Sequence, residues 1–186
     1  KMVDPTRVLI GHPFNPPHLV PLVEICAVPE VRADLVSRAM DFYSACGKVP
    51  VRLNKPVPGF VGNRLQVAVL REAINLVEMG VIDVAGADKI MLNSLGIRWA
   101  AVGPLLAGQL GAGNGGIVAM IDKIMASLID GMGLPPISPE TVKLVGEQAS
   151  AAYPLDRLKE FAEVRDQRQK AVMAVQKDHP LPTAGS

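Results

Sequence analysis

The segment GHPFNPP at residues 11–17, followed by PLVEI at residues 21–25, decides how this chain is interpreted. His12 follows one apolar run, and Glu24 stands inside a second one at residues 20–28. A carboxylate among apolar residues is costly unless it is paired, and a histidine is a natural partner because a carboxylate holds its tautomer. The segments therefore predict a general-base pair carried on strands. The alternative is a structural histidine beneath prolines and a glutamate that faces solvent.

Apolar, β-branched runs predict strands at residues 7–10, 19–26 and 49–53. Between the last two strands, residues 29–46 are predicted to form a helix, which Gly47 ends in a C-cap. One apolar face of that helix would consist of Leu35, Ala39 and Phe42.

From Phe60 onward the apolar spacing changes to i, i+3, i+4 and i+7, which predicts a long helix ending at Gly80. Asp83 and Ser138 stand where helix N-caps are expected. Further helices are predicted at residues 84–95, 105–110, 117–132, from 139 onward and 153–177, and residues 180–186 are expected to fray. The fold class is an α+β fragment, in which the last strands of a sheet (residues 1–54) precede an all-α helical domain (residues 55–186).

The segment PVPGFVGNRL at residues 56–65 completes a set of three motifs. In the order HPFNP, LVE and PGFV-x-NRL, the chain resembles the 3-hydroxyacyl-CoA dehydrogenase superfamily up to about Lys177. The run LGIRWAAVGP at residues 95–104 is similar to the branch that contains lambda-crystallin (L-gulonate 3-dehydrogenase) and the bacterial carnitine dehydrogenases. The resemblance implies that residues 1–54 end a Rossmann-type domain and that NAD is the cofactor.

A dinucleotide-binding unit of this kind begins with a strand, a G-x-G-x-x-G turn and a helix, with an acidic residue about 20 positions later. No such unit precedes His12, and the opening residues KMVDP read as the middle of a domain. We therefore expect the C-terminal part of a longer dehydrogenase, in which NAD is bound mainly by an N-terminal half. Alone, this part is expected to be inactive.

The resemblance implies roles for four polar residues. His12 would be the base that takes the hydroxyl proton, and Glu24 would hold its ring. Asn63, at the start of the long helix, would donate to the substrate oxygen, although capping that helix is the alternative. Asn15 would reach the cofactor or shape the turn after His12.

Arg98 departs from the branch that uses CoA thioesters. A guanidinium suits a substrate carboxylate through a bidentate contact, which favours a short hydroxy acid such as L-gulonate or carnitine. The alternative is an arginine that binds carbonyls at a helix end or a surface carboxylate. Trp99, the only tryptophan, would close the substrate pocket or fill the core.

Two rival functions stay open. One is a true 3-hydroxyacyl-CoA dehydrogenase of fatty-acid metabolism, acting on an acyl-CoA. The other is a non-catalytic, crystallin-like dimerisation module. The methionine-rich apolar helix at residues 117–132 would either form the core of its own domain or bury its face in a homodimer.

The segment GAGNGG at residues 111–116 fits G-x-G-x-x-G, but Gly103, Pro104 and Gly108 interrupt the sequence before it. A real nucleotide loop needs a buried strand there. We therefore predict a glycine-rich turn into the helix that follows.

Composition and residue spacing narrow the classes of partner and site that remain possible. The net charge of +1 favours neither nucleic acid nor an anionic membrane, and no apolar run approaches the 18 residues of a membrane span. Cys26 and Cys46 lack C-x-x-C or metal spacing, so both are predicted to be reduced core residues of a cytoplasmic protein. His12 and His18 do not have the spacing of metal ligands, and no metal is expected.

Overall fold

The computed structural model describes residues 4–179 as two compact units, one up to Val81 and one from Ile82 onward. The first unit contains a three-stranded sheet in the order β1-β2-β3. Strand β2 pairs with β1 in antiparallel and with β3 in parallel orientation. The strands are β1 (Ile10–Pro13), β2 (Leu22–Cys26) and β3 (Val49–Arg52).

Strand β1 lies later in the chain than the sequence predicted. The prediction of a strand at residues 7–10 is wrong except at Ile10, and Pro5–Arg7 forms a 3-10 turn. Val8 is 39% exposed, so its apolar character does not come from a place in the sheet. The shift matters because it puts His12 inside the strand, directly opposite Glu24.

Helix α1 (Ala33–Ala45) packs on β2 around the buried residues Val23, Ile25, Val31 and Val36. It begins four residues later than predicted, because residues 29–32 form a turn ahead of it. Its face toward the core includes Leu35, Ala39, Met40 and Tyr43.

Two predictions about the side chains of α1 are wrong. Phe42 is 62% exposed, and its neighbour Tyr43 packs against the core instead. Both cysteines are free, but only Cys26 is buried. Cys46 is exposed because it follows the last residue of the helix, where Gly47 turns the chain with a φ of 72°.

Helix α2 (Phe60–Glu78) confirms the long helix predicted from the apolar period. The second unit is built from seven helices within the described residues: α3 (Val84–Asn93), α4 (Leu95–Ala101), α5 (Pro104–Gly111), α6 (Gly116–Met120), α7 (Ala126–Gly131), α8 (Pro139–Ala152) and α9 (Leu158–Asp178). The small sheet followed by a mostly helical region confirms the predicted fold class.

Both predicted N-caps are present. The Asp83 carboxylate accepts a hydrogen bond from Gly86 N at 2.6 Å, and the Ser138 hydroxyl accepts one from Thr141 N at 3.2 Å. The last helix starts at Leu158 instead of Tyr153, because Pro154 intervenes and Leu155–Arg157 forms a 3-10 turn. Residues 180–186 lie outside the described part of the chain.

The predicted helix at residues 117–132 is interrupted. A π-helical turn at Ile121–Met125 joins α6 to α7, and a widened turn of this kind shifts the following side chains around the axis. Ile117 and Ile121 are buried with Ala149, whereas Ile124 and Leu128 are exposed. The apolar face is therefore only partly used by the core of this unit.

Between residues 4 and 179, no single helix is long and apolar enough to cross a bilayer. Only the segments Val84–Ala101 and Pro104–Gly111 taken together reach that length and composition, and they are bent by 92°. The glycine-rich segment lies between α5 and α6 with no strand before it, as expected for a turn.

Candidate active site

The pairing of β1 with β2 brings His12 and Glu24 together. The Nδ1 atom of His12 lies 3.0 Å from Oε2 of Glu24. The Glu24 side chain is 3% exposed, whereas 28% of the His12 side chain remains accessible. The pair therefore combines a sequestered carboxylate with an imidazole that a small molecule can reach.

The second oxygen of Glu24 binds the start of α2. Its Oε1 atom accepts hydrogen bonds from Val61 N at 2.9 Å and from Gly62 N at 3.0 Å. These N–H groups belong to the first turn of α2, where no helical carbonyl is available to them and the helix dipole favours a negative charge. Glu24 thus connects the sheet to the helix and the helix to His12.

These contacts set the charge of Glu24. Burial raises its pKa, but the hydrogen bonds from Gly62 N, His12 and Val61 N together lower it by more. The pKa of Glu24 therefore lies below the usual glutamate range. An ionised carboxylate only accepts hydrogen bonds, so Nδ1 of His12 must carry the proton. Nε2 of the neutral ring is then bare, as a general base requires.

Two aromatic rings enclose the imidazole. Phe60 stacks on its face, with ring centroids 4.6 Å apart and planes inclined by 11°. Phe14 meets it edge-on, at 5.5 Å and 65°. The Phe14 ring also lies over Gly62, where the added Cβ of any other residue would collide with it. Apolar packing thus surrounds the imidazole on more than one side.

The turn before α2 has an unusual backbone. Gly59 has a φ of 82° and Phe60 a φ of 53°, so two consecutive residues are left-handed. Glycine tolerates this region, whereas for a bulky L-residue it costs about 1–2 kcal/mol. A strained residue at such a place is a reason to look for a function.

Asn63 directly follows Gly62 and lies in the same first turn of α2, half-buried. Asn15 lies in the exposed turn after β1. The first unit therefore holds four of the six predicted site residues, and His12 and Glu24 are in direct contact. The assigned roles of all four stay predictions.

Arg98 and Trp99 lie on α4 in the second unit. Arg98 is exposed and lines a cavity of about 380 Å³ together with Arg165 and Gln169. Trp99 is 37% exposed, which is more than a core-filling residue would show. Their assignment to the substrate stays a prediction.

Sequence reasoning missed Phe60, Phe14 and the backbone N–H groups of Val61 and Gly62. A signal for part of this was present, because a Pro-Gly pair before a helical pattern indicates a special turn. Nothing in the sequence indicated a phenylalanine at positive φ or a ring stacked on His12.

The described residues fit one half of a dehydrogenase reaction. The pair of His12 and Glu24 suits proton transfer, but no ordinary side chain accepts a hydride, and that step belongs to NAD. Within residues 4–179 no glycine-rich turn follows a strand of the sheet in the manner of a dinucleotide site. An apolar cavity of about 660 Å³ borders Glu24, Val61 and Gly62.

Comparison with known families gives two matches in series. Residues 1–56 match the NAD-binding domain of 3-hydroxyacyl-CoA dehydrogenase, and residues 59–127 match its C-terminal domain. Among solved structures, a 3-hydroxyacyl-CoA dehydrogenase from Archaeoglobus fulgidus superposes with a TM-score of 0.71. It covers 95% of this chain and 61% of its own at 23% identity, which shows the fold alone.

Curated relatives are more similar in sequence. A 3-hydroxyacyl-CoA dehydrogenase from Gibberella moniliformis is 47% identical over 60% of this chain and 35% of its own. An L-carnitine dehydrogenase from Streptomyces coelicolor is 42% identical over 67% of this chain and 39% of its own. The lambda-crystallin of Oryctolagus cuniculus is 35% identical over 81% of this chain and 48% of its own. The chain thus spans between about a third and a half of the length of these relatives.

Proposed function

Because the chain belongs to the 3-hydroxyacyl-CoA dehydrogenase family, we propose that it is the proton-transfer part of an NAD-dependent dehydrogenase that oxidises a 3-hydroxyl group. The family comprises NAD-dependent oxidoreductases that act on small molecules. The single observation that supports the proposal most is the pair of His12 and Glu24, bound in turn by the first N–H groups of α2.

In the proposed reaction, Nε2 of His12 takes the proton of the substrate hydroxyl while the hydroxyl oxygen and its carbon form a carbonyl. NAD, when bound, accepts the hydride that leaves this carbon. The imidazolium that forms keeps its Nδ1–H on Glu24, whose negative charge stabilises it. In the reverse direction His12 returns the proton to the ketone oxygen.

Asn63 is proposed to bind the substrate oxygen. Its position in the first turn of α2 supports this proposal, because the helix dipole favours a negatively charged oxygen there as the proton leaves. Asn15 is proposed to contact the cofactor, since the exposed turn that follows β1 leaves its side chain accessible.

The proposed substrate is a short 3-hydroxy acid such as carnitine or L-gulonate. The relatives named L-carnitine dehydrogenase support this class, as does Arg98, whose exposed guanidinium suits a carboxylate. Trp99 would cover the substrate beside it. In an active chimera of this chain with an N-terminal NAD-binding part, we expect Arg98→Ala to raise the KM for carnitine by about tenfold. Arg98→Lys should recover only part of this loss, because a lysine cannot make the bidentate contact.

A second candidate is oxidation of a 3-hydroxyacyl-CoA. It is favoured by the 47% identity to the Gibberella protein that carries this name. Direct competition separates the two: if 3-hydroxybutyryl-CoA is oxidised with a higher kcat/KM than carnitine and L-gulonate, the hydroxy-acid proposal is wrong. An unchanged KM for carnitine in Arg98→Ala would remove the role of that residue.

The chain alone is proposed to lack turnover, because no dinucleotide turn is present among the described residues. A chimera tests this idea: the part of the NAD-binding domain of the Streptomyces coelicolor L-carnitine dehydrogenase that precedes the segment equivalent to residues 1–56 is joined ahead of this chain. We expect NAD reduction with the chimera and none with the chain alone. Activity of the chain alone would contradict the proposal of inactivity.

The base assignment is tested in the chimera by His12→Gln, with His18→Gln as the matched control, since His18 is exposed. We expect a loss of about 10²–10⁴ in kcat for the first and none for the second. Equal activity of His12→Gln and the parent would reject the mechanism.

A homodimer through the second unit is also proposed, on the exposed Ile124 and Leu128 of the interrupted helix. Light scattering at micromolar concentration tests it, and a monomer would contradict it. A dimer of the chain that shows no activity even as a chimera would instead favour the crystallin-like role.

A further inference from the structure

Phe60 combines two unusual features at one position. Its backbone is left-handed, with a φ of 53°, and its ring is stacked on His12 at a centroid distance of 4.6 Å. A bulky residue keeps this backbone conformation only where its surroundings hold it there. The packing partner of the ring is the imidazole that the proposed mechanism uses.

We propose that Phe60 is a positioning residue that fixes the plane of the His12 ring, so that Nδ1 stays on Glu24 and Nε2 is offered to the substrate. The inference rests on the proposed function, because it assigns a task to the same imidazole. It adds a residue that neither accepts nor donates the transferred proton and carries no charge.

A single hydrogen bond does not fix an imidazole. The rotation of a histidine ring about its Cβ–Cγ bond has a broad energy profile, so the torsion itself does not oppose a rotation that takes Nδ1 off Glu24. A flat ring packed in parallel prevents this, because rotation would drive an edge of the imidazole into Phe60. Phe14 meets the imidazole edge-on and presents no parallel face to it, so we assign the restraint on the ring plane to Phe60.

The same turn holds both members of the pair. The left-handed step at Gly59 and Phe60 puts the Phe60 ring over His12, and the next two N–H groups then bind Glu24 at 2.9 Å and 3.0 Å. In addition, the face of a phenyl ring is electron-rich and attracts a cation. Phe60 therefore favours the imidazolium that forms when His12 accepts the substrate proton.

Nitrogen NMR of the histidine rings tests the proposal without any turnover. The chain is labelled with ¹⁵N-histidine, and His12→Gln identifies the resonances of His12. At a pH high enough for the histidine rings to be neutral, we expect the parent chain to show one His12 form, with a protonated Nδ1 and a bare Nε2. Phe60→Leu, which keeps an apolar side chain but removes the flat face, should give ring resonances averaged between both tautomers. Phe60→Tyr, which keeps the face, should match the parent.

Phe14→Leu is the matched control, because it removes an aromatic ring from the same imidazole but leaves the stack in place. Its His12 resonances should stay close to those of the parent. Amide exchange at Val61 and Gly62 reports whether the turn is intact in each variant. In the chimera, Phe60→Leu should lower kcat by about 10-fold and leave KM within about twofold, as expected for a misoriented base.

Two outcomes would overturn the proposal: a single parent-like tautomer in Phe60→Leu, or equal averaging in Phe60→Leu and Phe14→Leu. If Phe60→Leu disrupts the turn, two NMR signals of the parent chain test the stacked geometry instead. A stacked Phe60 must shift the His12 ring protons upfield and give cross-relaxation between the two rings, and absence of both signals refutes the geometry. Because the NMR readouts need no activity, they fail independently of the proposed function.

Discussion

The turn at residues 58–62 and the turn at residues 111–117 share one construction. Each leads into a helix through backbone with positive φ, at 82° and 53° in the first and at 59° and 55° (Gly113 and Gly116) in the second. In each, a buried side chain from another element accepts hydrogen bonds from N–H groups at the start of the helix, two in the first turn and one in the second. That side chain belongs to Glu24 in the first turn and to Gln109 in the second, and as whole residues they are 2% and 1% exposed.

We call each of these buried side chains, Glu24 and Gln109, a clamp. The two clamps differ in the group that their remaining hydrogen bond reaches. Gln109 accepts from Ile117 N at 2.8 Å and donates to the Tyr153 carbonyl at 3.0 Å, so both its contacts end on backbone. Glu24 ends on the imidazole of His12, which remains partly exposed. A buried side chain that binds a helix start is thus structural when its other contact is a main-chain carbonyl, as for Gln109. It can take part in proton transfer when its other contact is an accessible titratable ring, as for Glu24.

The largest expected effect is on activity, from Glu24→Gln in the chimera. The new amide still accepts from Val61 N and Gly62 N, so the fold should change little. Its NH₂ group then faces His12 and requires Nδ1 to accept, which moves the proton to Nε2 and leaves no bare nitrogen for the substrate. We expect kcat to fall by about 10³-fold, as when the orienting carboxylate of a catalytic histidine is replaced by an amide.

Steady-state kinetics combined with the melting temperature measure this effect. If Glu24→Gln lowers the melting temperature and leaves kcat unchanged, Glu24 acts as Gln109 does, and the contrast between the two turns disappears. The matched control is Glu140→Gln, since that residue is an exposed glutamate outside the first unit.

The second effect is on stability, from Gln109→Ala. This change leaves the buried Ile117 N and the partly buried Tyr153 carbonyl without their partner, at a cost of about 1–3 kcal/mol for a fully buried unsatisfied group. We expect the second unit to lose about 2–4 kcal/mol of unfolding free energy. Trp99, the only tryptophan, lies in that unit and reports its urea unfolding by fluorescence.

In the chimera, Gln109→Ala should leave kcat per folded molecule unchanged. Gln176→Ala is the control for a glutamine whose amide also donates to a carbonyl, that of Leu92, but at an exposed place. Gln176→Ala should lower the free energy of unfolding by less than about 0.5 kcal/mol. Equal losses in both variants would show that burial does not set the strength of the Gln109 clamp.

The sequence predicted the parts of the fold that follow from periodicity and capping. The long helix from Phe60 and the caps at Asp83 and Ser138 are local features, decided by residues within one or two turns. The pairing of His12 with Glu24 was predicted from the cost of a buried carboxylate, and the register of β1 and β2 confirms it.

What the sequence could not predict depends on distant contacts. The burial of Gln109 depends on Tyr153, 44 residues away, and no local pattern reports such a partner. The Val61 and Gly62 contacts with Glu24 span 37 and 38 residues and use main-chain groups that every residue possesses. The choice of Tyr43 over Phe42 for the core depends on which face of α1 packs on the sheet, a tertiary contact that the apolar spacing does not fix.

A third prediction concerns pH and separates the two clamps by charge. The pKa of Glu24 is lower in the folded chain than in an unfolded one, so the carboxylate contributes stability that is present above the unfolded value of about 4.3. That contribution is lost as the pH falls through the folded pKa. We expect acid to destabilise the first unit in the parent and to do so less in Glu24→Gln.

Urea titrations between pH 3 and pH 7, followed by the amide resonances of Val61 and Gly62, measure the effect. Gln109 is uncharged, so Gln109→Ala should leave the acid response of the first unit as it is in the parent. An identical acid response in the parent and Glu24→Gln would show that Glu24 is not the group responsible.

The smallest effect tests whether the two turns really share their left-handed geometry. In an ordinary helix alanine is more stable than glycine by about 1 kcal/mol. At a positive φ the order reverses, because the Cβ atom of alanine strains the backbone. We therefore expect Phe60→Gly to be more stable than Phe60→Ala by about 1 kcal/mol, measured by urea unfolding of the first unit.

Gly116→Ala should be destabilising in the second unit for the same reason, and further because its Cβ would approach the Gln109 amide oxygen to 2.6 Å. Val61→Gly and Val61→Ala provide the internal standard, since Val61 has no left-handed backbone and should follow the ordinary order. If Phe60 follows the ordinary order as well, its backbone is not strained, and the likeness between the two turns reduces to the buried clamps alone.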